Sequence, residues 1–234
     1  MTFWFEFLPS LMNRKPLLRR LRWGRLLGLL ALALWLAASW PTYQAPSGAA
    51  LQPRLNYLER VIGEGATPGT DLGALTAANP EWGLFTLSFS TYGLANLTAR
   101  QPLLRPEATR TMRQAVAVAL TQPLQQPYEN LGRYALAGHS LPNSVLYLGH
   151  LNLMLGCLRQ LAPNTPYAAL HDSLSARLYQ QLSAAPAGNL PSYPGLRWVP
   201  DNTVALASLT LHSRLTGSTY QQAGRRWVAR ARRQ

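Results

Sequence analysis

From residue 50 onward, apolar side chains recur every three to four positions, interrupted by short runs of Pro, Gly and Asn. The every-other-residue alternation of a strand is nearly missing, so the pattern predicts helices joined by turns. They fall over 50–63, 80–99, 106–121, 142–161, 167–184, 200–216 and 219–232. Three of them open alike, on Asn79-Pro80-Glu81-Trp82, Leu141-Pro142-Asn143-Ser144 and Val199-Pro200-Asp201-Asn202, with the prolines spaced by about 60 residues. Proline suits a first helical turn, where its missing N–H would have had no partner. Each opening runs into an apolar stretch rich in small residues: Gly83 to Leu97, Val145 to Cys157, and Thr203 to Leu211. The helices between, 106–121 and 167–184, carry Arg, Gln and His on one face. A buried helix alternating with a surface helix at a fixed spacing means stacked helical hairpins, an all-α fold.

Stacked hairpins form either an open solenoid or an α/α toroid, with apolar helices as an inner ring and amphipathic ones outside. The stretches 122–141 and 184–200 are too long for plain connectors and are rich in His, Tyr, Trp and Asn, which favours loops around the mouth of a toroid. Three inner helices make about half of a six-hairpin ring. The expectation is therefore a partial or truncated α/α barrel, or a repeat whose open edge a partner subunit covers, as in a homo-oligomer.

The N-terminus changes the picture. Arg14, Lys15, Arg19, Arg20, Arg22 and Arg25 stand directly before the apolar run Leu26 to Trp40, and no charge follows until Arg54. Basic residues on one flank of an apolar segment hold that flank in the cytoplasm and send the rest outward. We expect a basic cytoplasmic segment (1–25), a transmembrane signal anchor (26–43, with Trp23 and Tyr43 as interfacial residues) and a helical domain (49–234). A cleavable signal is the competing reading, and Trp40-Pro41 is a poor cleavage context. Both readings put the domain on the periplasmic or outer side of the inner membrane.

Composition adds exclusions. A hydrophobic content of 47% with 13% charged residues is too apolar for a disordered chain. Cys157 is the single cysteine, which excludes an intrachain disulfide framework and a cysteine-based zinc site. The formal charge of +13 is concentrated at the two ends: six basic residues precede residue 26, and Arg225, Arg226, Arg230, Arg232 and Arg233 lie at the other end. The stretch between is nearly balanced, so no nucleic-acid partner is expected. The Arg225–Arg233 cluster reads as an exposed final helix.

Chemistry follows from the openings. In a ring, the first turns of all inner helices converge, here Glu81, Asn143 and Asp201 with Trp82, Ser144 and Asn202 beside them. The incoming loops add Tyr134, His139, Tyr193 and Trp198. Two carboxylates, a histidine, amides and aromatics around one mouth make an acid/base pocket, provided the carboxyl environments differ. The simpler reading is that acids and amides in first turns answer the helix dipole and its free N–H groups. Tyr147 and His150 share a helix face and are further pocket candidates, although a histidine in an apolar helix is more often a satisfied core residue. Cys157 reads as a buried hydrophobe, and His171 and His212 as solvated. No histidine pair at helical i, i+4 spacing offers a zinc set, and no phosphate loop, dinucleotide fingerprint or nucleophile elbow occurs. Neither a metal nor a cofactor is expected.

Asn143-Ser144-Val145-Leu146-Tyr147-Leu148-Gly149-His150-Leu151-Asn152-Leu153-Met154-Leu155-Gly156, together with Ser192-Tyr193-Pro194-Gly195 and Trp198-Val199-Pro200-Asp201-Asn202, resembles the linalool dehydratase-isomerase-like α/α-toroid proteins of bacteria. More loosely, it resembles the six-hairpin glycosidases. The likeness spans residues 79–217 and implies an exported toroid that hydrates, dehydrates or isomerises terpenoid alkenols by acid/base chemistry without a cofactor. On this likeness Pro200-Asp201 matches the family's Pro-Asp segment and His139 a family histidine, while the cysteine that precedes Pro-Asp in the family is replaced by Trp198 and Val199. The combined expectation is a lyase or hydrolase with Asp201, Glu81 and His139 as catalytic groups. Asn143, Tyr147, His150, Tyr193, Trp198, Asn202 and Trp82 would bind a terpenoid or glycan. The rivals are a non-catalytic exported repeat protein binding a glycan or envelope partner, and a truncated, inactive copy of a longer enzyme.

Overall fold

Asn79 begins the helical order that matters most. Its side chain accepts the Glu81 N–H at 2.9 Å, Pro80 fills the first turn, and helix α4 then runs Pro80–Arg100. The computed structural model describes residues 26–39, 48–185 and 188–233, in two units, Met1–Ala49 and Ala50–Gln234. In the first unit a helix, α1, covers 26–39 with apolar, exposed side chains. No helix among the described residues is long and apolar enough to cross a membrane. Of the expected span 26–43 the described residues cover 26–39, and 40–43, like the basic segment 1–25, lie outside them.

The second unit is mostly helical. Before α4 come α2 (Gly48–Glu64) and α3 (Asp71–Ala78), and α5 (Arg105–Ala119) and the single turn α6 (Gln122–Gln125) follow it. A hairpin of β1 (Arg133–Leu136) and β2 (His139–Pro142) precedes α7 (Val145–Leu161), α8 (Ala168–Ala184), α9 (Val199–Thr216) and α10 (Gln222–Ala231). Helix α7 lies between α4 and α9 and packs along both. Helix α5 covers α4 and α7, α8 covers α7 and α9, and α10 lies on α9 and touches α8. The chain thus passes alternately through two layers: α4, α7 and α9 in one, and α5, α8 and α10 in the other.

Burial follows this layering. Leu84, Leu87 and Leu94 of α4, Met112 and Val116 of α5, Leu148, Leu151, Leu155 and Leu158 of α7, and Leu170, Leu174 and Leu178 of α8 belong to one buried core. At the centre, Asn152 of α7 donates to Ser208 Oγ of α9 at 2.8 Å and accepts from Ser175 Oγ of α8 at 3.1 Å. All three side chains are buried, so they are satisfied only by one another and by nearby carbonyls. Asn152→Ala leaves the Ser175 hydroxyl without its acceptor, while Ser208 Oγ keeps the Ala205 carbonyl, and it is expected to cost about 2 kcal/mol in urea unfolding. A loss below about 0.5 kcal/mol would mean that the network adds nothing to stability.

Three features depart from the sequence pattern, the first being α3, a Thr70-capped helix where the pattern marked none. The stretch 122–141 is not a bare loop: a 3₁₀ turn at Gln126–Leu131 and the β1–β2 hairpin occupy it. Its two-residue turn, Ala137-Gly138, takes positive φ at both positions (46° and 79°), the geometry that matches strand twist. Pro142 closes β2 instead of heading α7, which starts three residues later.

Candidate functional site

The three openings meet on one loop, 188–198. Val145 N–H donates to the Pro191 carbonyl (3.0 Å) and Ser144 Oγ to the Ser192 carbonyl (2.7 Å), which ties the start of α7 to it. From the start of α9, Asn202 accepts the Leu190 N–H (2.7 Å) and donates to the carbonyls of Leu190 (3.1 Å) and Trp198 (2.9 Å). From the same loop, Tyr193 Oη donates to Glu81 Oε1 of α4 at 2.7 Å. Gly195, at φ 75°, lets the loop turn back so that Leu196 N–H reaches the Tyr193 carbonyl.

Asp201 sits in the middle of this meeting point. Its side chain is only 5% exposed, and Oδ2 has no hydrogen-bond partner. Burial raises its carboxyl above the usual range; the Ser192 hydroxyl pulls it back, and the Glu81 charge raises it further. Beside it lies Tyr128, also buried, with an unpartnered Oη; its ring packs on Tyr193 (6.3 Å between centroids) and on Tyr147 (5.6 Å). Burial raises the Tyr128 hydroxyl, with Tyr193, Glu81, Tyr147 and Asp201 adding to it. Burial also raises Tyr193, with the Glu81 hydrogen bond next in weight. Trp198 stands edge-on to Tyr193 at 5.5 Å and is 40% exposed, so the group opens to solvent on that side. The resulting arrangement is a carboxyl biased towards its protonated form, a second carboxylate holding a tyrosine hydroxyl, and two buried oxygens without partners. A ligand hydroxyl could satisfy those oxygens and exchange a proton with them.

Glu81, Tyr193, Asp201 and Trp198 are therefore together, and the other named residues divide. Asn202 holds the loop and has no free amide group to offer. Asn143 Oδ1 accepts from Gln181 of α8 (3.2 Å). Tyr147 is fully buried, donates to the Ala119 carbonyl (2.8 Å) and backs the site only through Tyr128. Trp82 is half exposed beside Glu81 in the chain. His139 lies on β2 opposite Leu136, and no hydrogen bond or ring contact joins it to Glu81 or Asp201. His150 is a core residue: Nδ1 lies 3.0 Å from Ser88 Oγ and 3.2 Å from Tyr92 Oη, with Phe85 and Phe89 around the ring. Burial pushes it down to about 4, so it is neutral at neutral pH. Tyr128 and Ser192 belong to the site although nothing in their spacing marked them.

A second polar cluster involves the histidines expected to be solvated. His171 and His212 are buried, their rings edge-to-face at 4.8 Å. Together with Asp172 they bring ligand-type atoms within 4.8 Å of one another. The Arg159 guanidinium hydrogen-bonds Asp172 and approaches His171 Nδ1 at 3.5 Å, so the positive charge in this cluster is the chain's own. No family model matches the chain.

Proposed function

We propose that this chain is an exported α/α-hairpin protein of the linalool dehydratase-isomerase-like kind, its two layers forming part of a toroid, with a cofactor-independent lyase or hydrolase site at Asp201 and Glu81. The observation that carries the reading is the pair of partnerless buried oxygens, Asp201 Oδ2 and Tyr128 Oη, beside the Tyr193–Glu81 hydrogen bond. In a dehydration, protonated Asp201 gives its proton to the departing hydroxyl as the C–O bond breaks. Glu81, directly or through Tyr193, takes the proton from the neighbouring carbon, and water and an alkene leave. Tyr128, Tyr193 and Trp198 supply aromatic walls that suit a neutral, mostly apolar alcohol such as a terpenoid alkenol, or a sugar ring. The basic flank followed by the apolar segment at 26–39 supports export. Its length fits the ~7–15-residue apolar core of a signal sequence as well as the start of an anchor, with the domain facing the periplasm.

The test is turnover of acyclic alkenols and neutral oligosaccharides by the purified chain, followed by gas chromatography and reducing-end assay. Asp201→Asn is expected to lower any rate by at least about 100-fold. An unchanged rate would remove Asp201 as the acid. A raised carboxyl pKa means that stability is present while the group is protonated and is lost as pH rises through the folded pKa. Asp201→Asn should therefore match the wild type in acid and unfold later than it at pH 7, which separates lost chemistry from lost folding. The exposed rings of Trp82, Phe89 and Trp198 favour a second reading, a glycan-binding repeat protein without turnover. Oligosaccharide binding weakened by Trp198→Ala, with no product formed, would select it.

A further inference from the structure

We propose that Ser218, in the link between α9 and α10, is a nucleophile activated by His212 and Asp172, giving the chain a second site able to hydrolyse small carboxylic esters. It lies towards the opposite end of α9 from Asp201, and His212 is about 16 Å along the helix from that carboxyl.

The geometry is a continuous hydrogen-bonded chain. His212 Nε2 is 2.8 Å from Asp172 Oδ1, and His212 Nδ1 is 2.9 Å from Ser218 Oγ. With the carboxylate accepting the Nε2 proton, Nδ1 is left as the base for the serine hydroxyl. The ring is used the other way round from the usual triad, but the roles depend on the two contacts and not on which nitrogen makes each. Asp172 is fixed in turn by Arg159. Burial pushes the Asp172 carboxyl up, but hydrogen bonds from Arg159 and His212 outweigh it and keep it ionised. Desolvation lowers His212, which holds the imidazole in its neutral, basic form.

A helix-capping role explains the neighbouring hydroxyls better than it explains Ser218. Thr216 Oγ1, 3.3 Å from His212 Nδ1, spends its proton on the His212 carbonyl and accepts the Ser218 N–H, and Ser213 Oγ donates to the Leu209 carbonyl and accepts the Gln221 N–H. Ser218 Oγ caps no carbonyl; its contacts are His212 Nδ1 and Ser213 Oγ at 3.3 Å. The local fields also suit proton transfer. His212 is in the last turns of α9, where the carbonyl end of the helix favours an imidazolium. Ser218 lies four residues before α10, in the link that Gln221 N–H ties to Ser213 Oγ. Tyr220 stacks on His212 at 5.2 Å and fixes the ring from the side.

In the reaction, the Ser218 Oγ–H proton passes to His212 Nδ1 while Oγ bonds to the ester carbonyl carbon. The C–O bond to the alcohol then breaks, and the proton leaves on that alcohol. Water, deprotonated by the same nitrogen, hydrolyses the acyl-serine, releases the carboxylic acid and returns the proton to Oγ.

The full chain is treated with a fluorophosphonate probe and mapped by peptide mass spectrometry, and p-nitrophenyl acetate hydrolysis is followed alongside. Expected are label on Ser218, a fall of at least 100-fold in labelling rate in His212→Gln, and a fall of 10-fold or more in Asp172→Asn. The last side chain is half exposed, so its loss leaves the core filled even if His212→Gln folds poorly. An unlabelled Ser218 in protein with native circular dichroism would overturn the proposal. So would equal labelling rates in the wild type and Asp172→Asn, or undiminished ester hydrolysis by Ser218→Ala.

Discussion

Taking the protein from pH 7 to pH 5 is expected to remove about 4 kcal/mol of folding stability, through two buried histidines that cannot accept a proton where they sit. His150 and His171 are 3% and 0% exposed. Burial holds the first down to about 4 and the second to about 3, with the neighbouring His212 and Arg159 also lowering His171 against a small upward pull from Asp172. In the unfolded chain both titrate near 6.5. Below that value the unfolded state binds protons that the folded state refuses, so stability falls as pH falls, and the loss continues towards the folded pKa values. At pH 5 each histidine has cost about 2 kcal/mol. His212, lowered by desolvation, adds to the loss, whereas Asp201 works in the opposite direction, since its raised carboxyl favours the folded state as it protonates. Urea unfolding at pH 7 and pH 5 measures the sum, and His150→Gln should remove roughly half of the difference. Stability that changes by less than about 1 kcal/mol over this range would mean that protons reach these rings without unfolding the chain.

These histidines also show where the sequence stops being informative. The proline-headed openings and the alternation of apolar and amphipathic helices were legible because each is a local property: a first-turn proline and an apolar face are written in adjacent residues. Glu81, Asp201, Tyr193 and Trp198 could be grouped from those openings alone. His171 and His212 could not be placed, because they lie on different helices and are buried by the mutual packing of α7, α8 and α9. Tyr128 was hidden for a related reason: the 3₁₀ turn that carries it beneath Tyr193 has no periodic signature. The β1–β2 hairpin offered only Ala137-Gly138, a weak turn signal beside the usual Asn-Gly, and Ala137 takes its positive φ against its own preference. His139 is placed by that hairpin on β2 opposite Leu136, with no hydrogen bond to either carboxyl among the described residues.

Gly149→Leu is expected to cost about 3 kcal/mol and to disorganise the Asp201 site without touching it. A Cβ at Gly149 would lie 3.0 Å from the Ala205 nitrogen, 3.2 Å from its Cα and 3.2 Å from its Cβ. Two of these atoms are backbone, so no rotamer change relieves the contact; α9 itself must move away from α7. Gly156, further along the same face, would meet the Leu211 side chain at 2.7 Å, and that neighbour can rotate aside. Gly149 is therefore the position at which the spacing of the two helices is set. The same displacement would carry away Asp201 and Asn202, one turn before Ala205, while Ser144 and Val145 keep the Ser192 end of the loop attached to α7. The Asn202 hydrogen bonds to Leu190 and Trp198 would stretch, and Tyr193 would lose its register on Glu81. Thermal unfolding checks the stability loss. Tryptophan fluorescence, to which Trp198 contributes beside Tyr193, checks the site. Gly149→Leu unfolding within about 1 kcal/mol of the wild type would show that α7 and α9 tolerate a wider spacing and that the convergence of the openings does not depend on it.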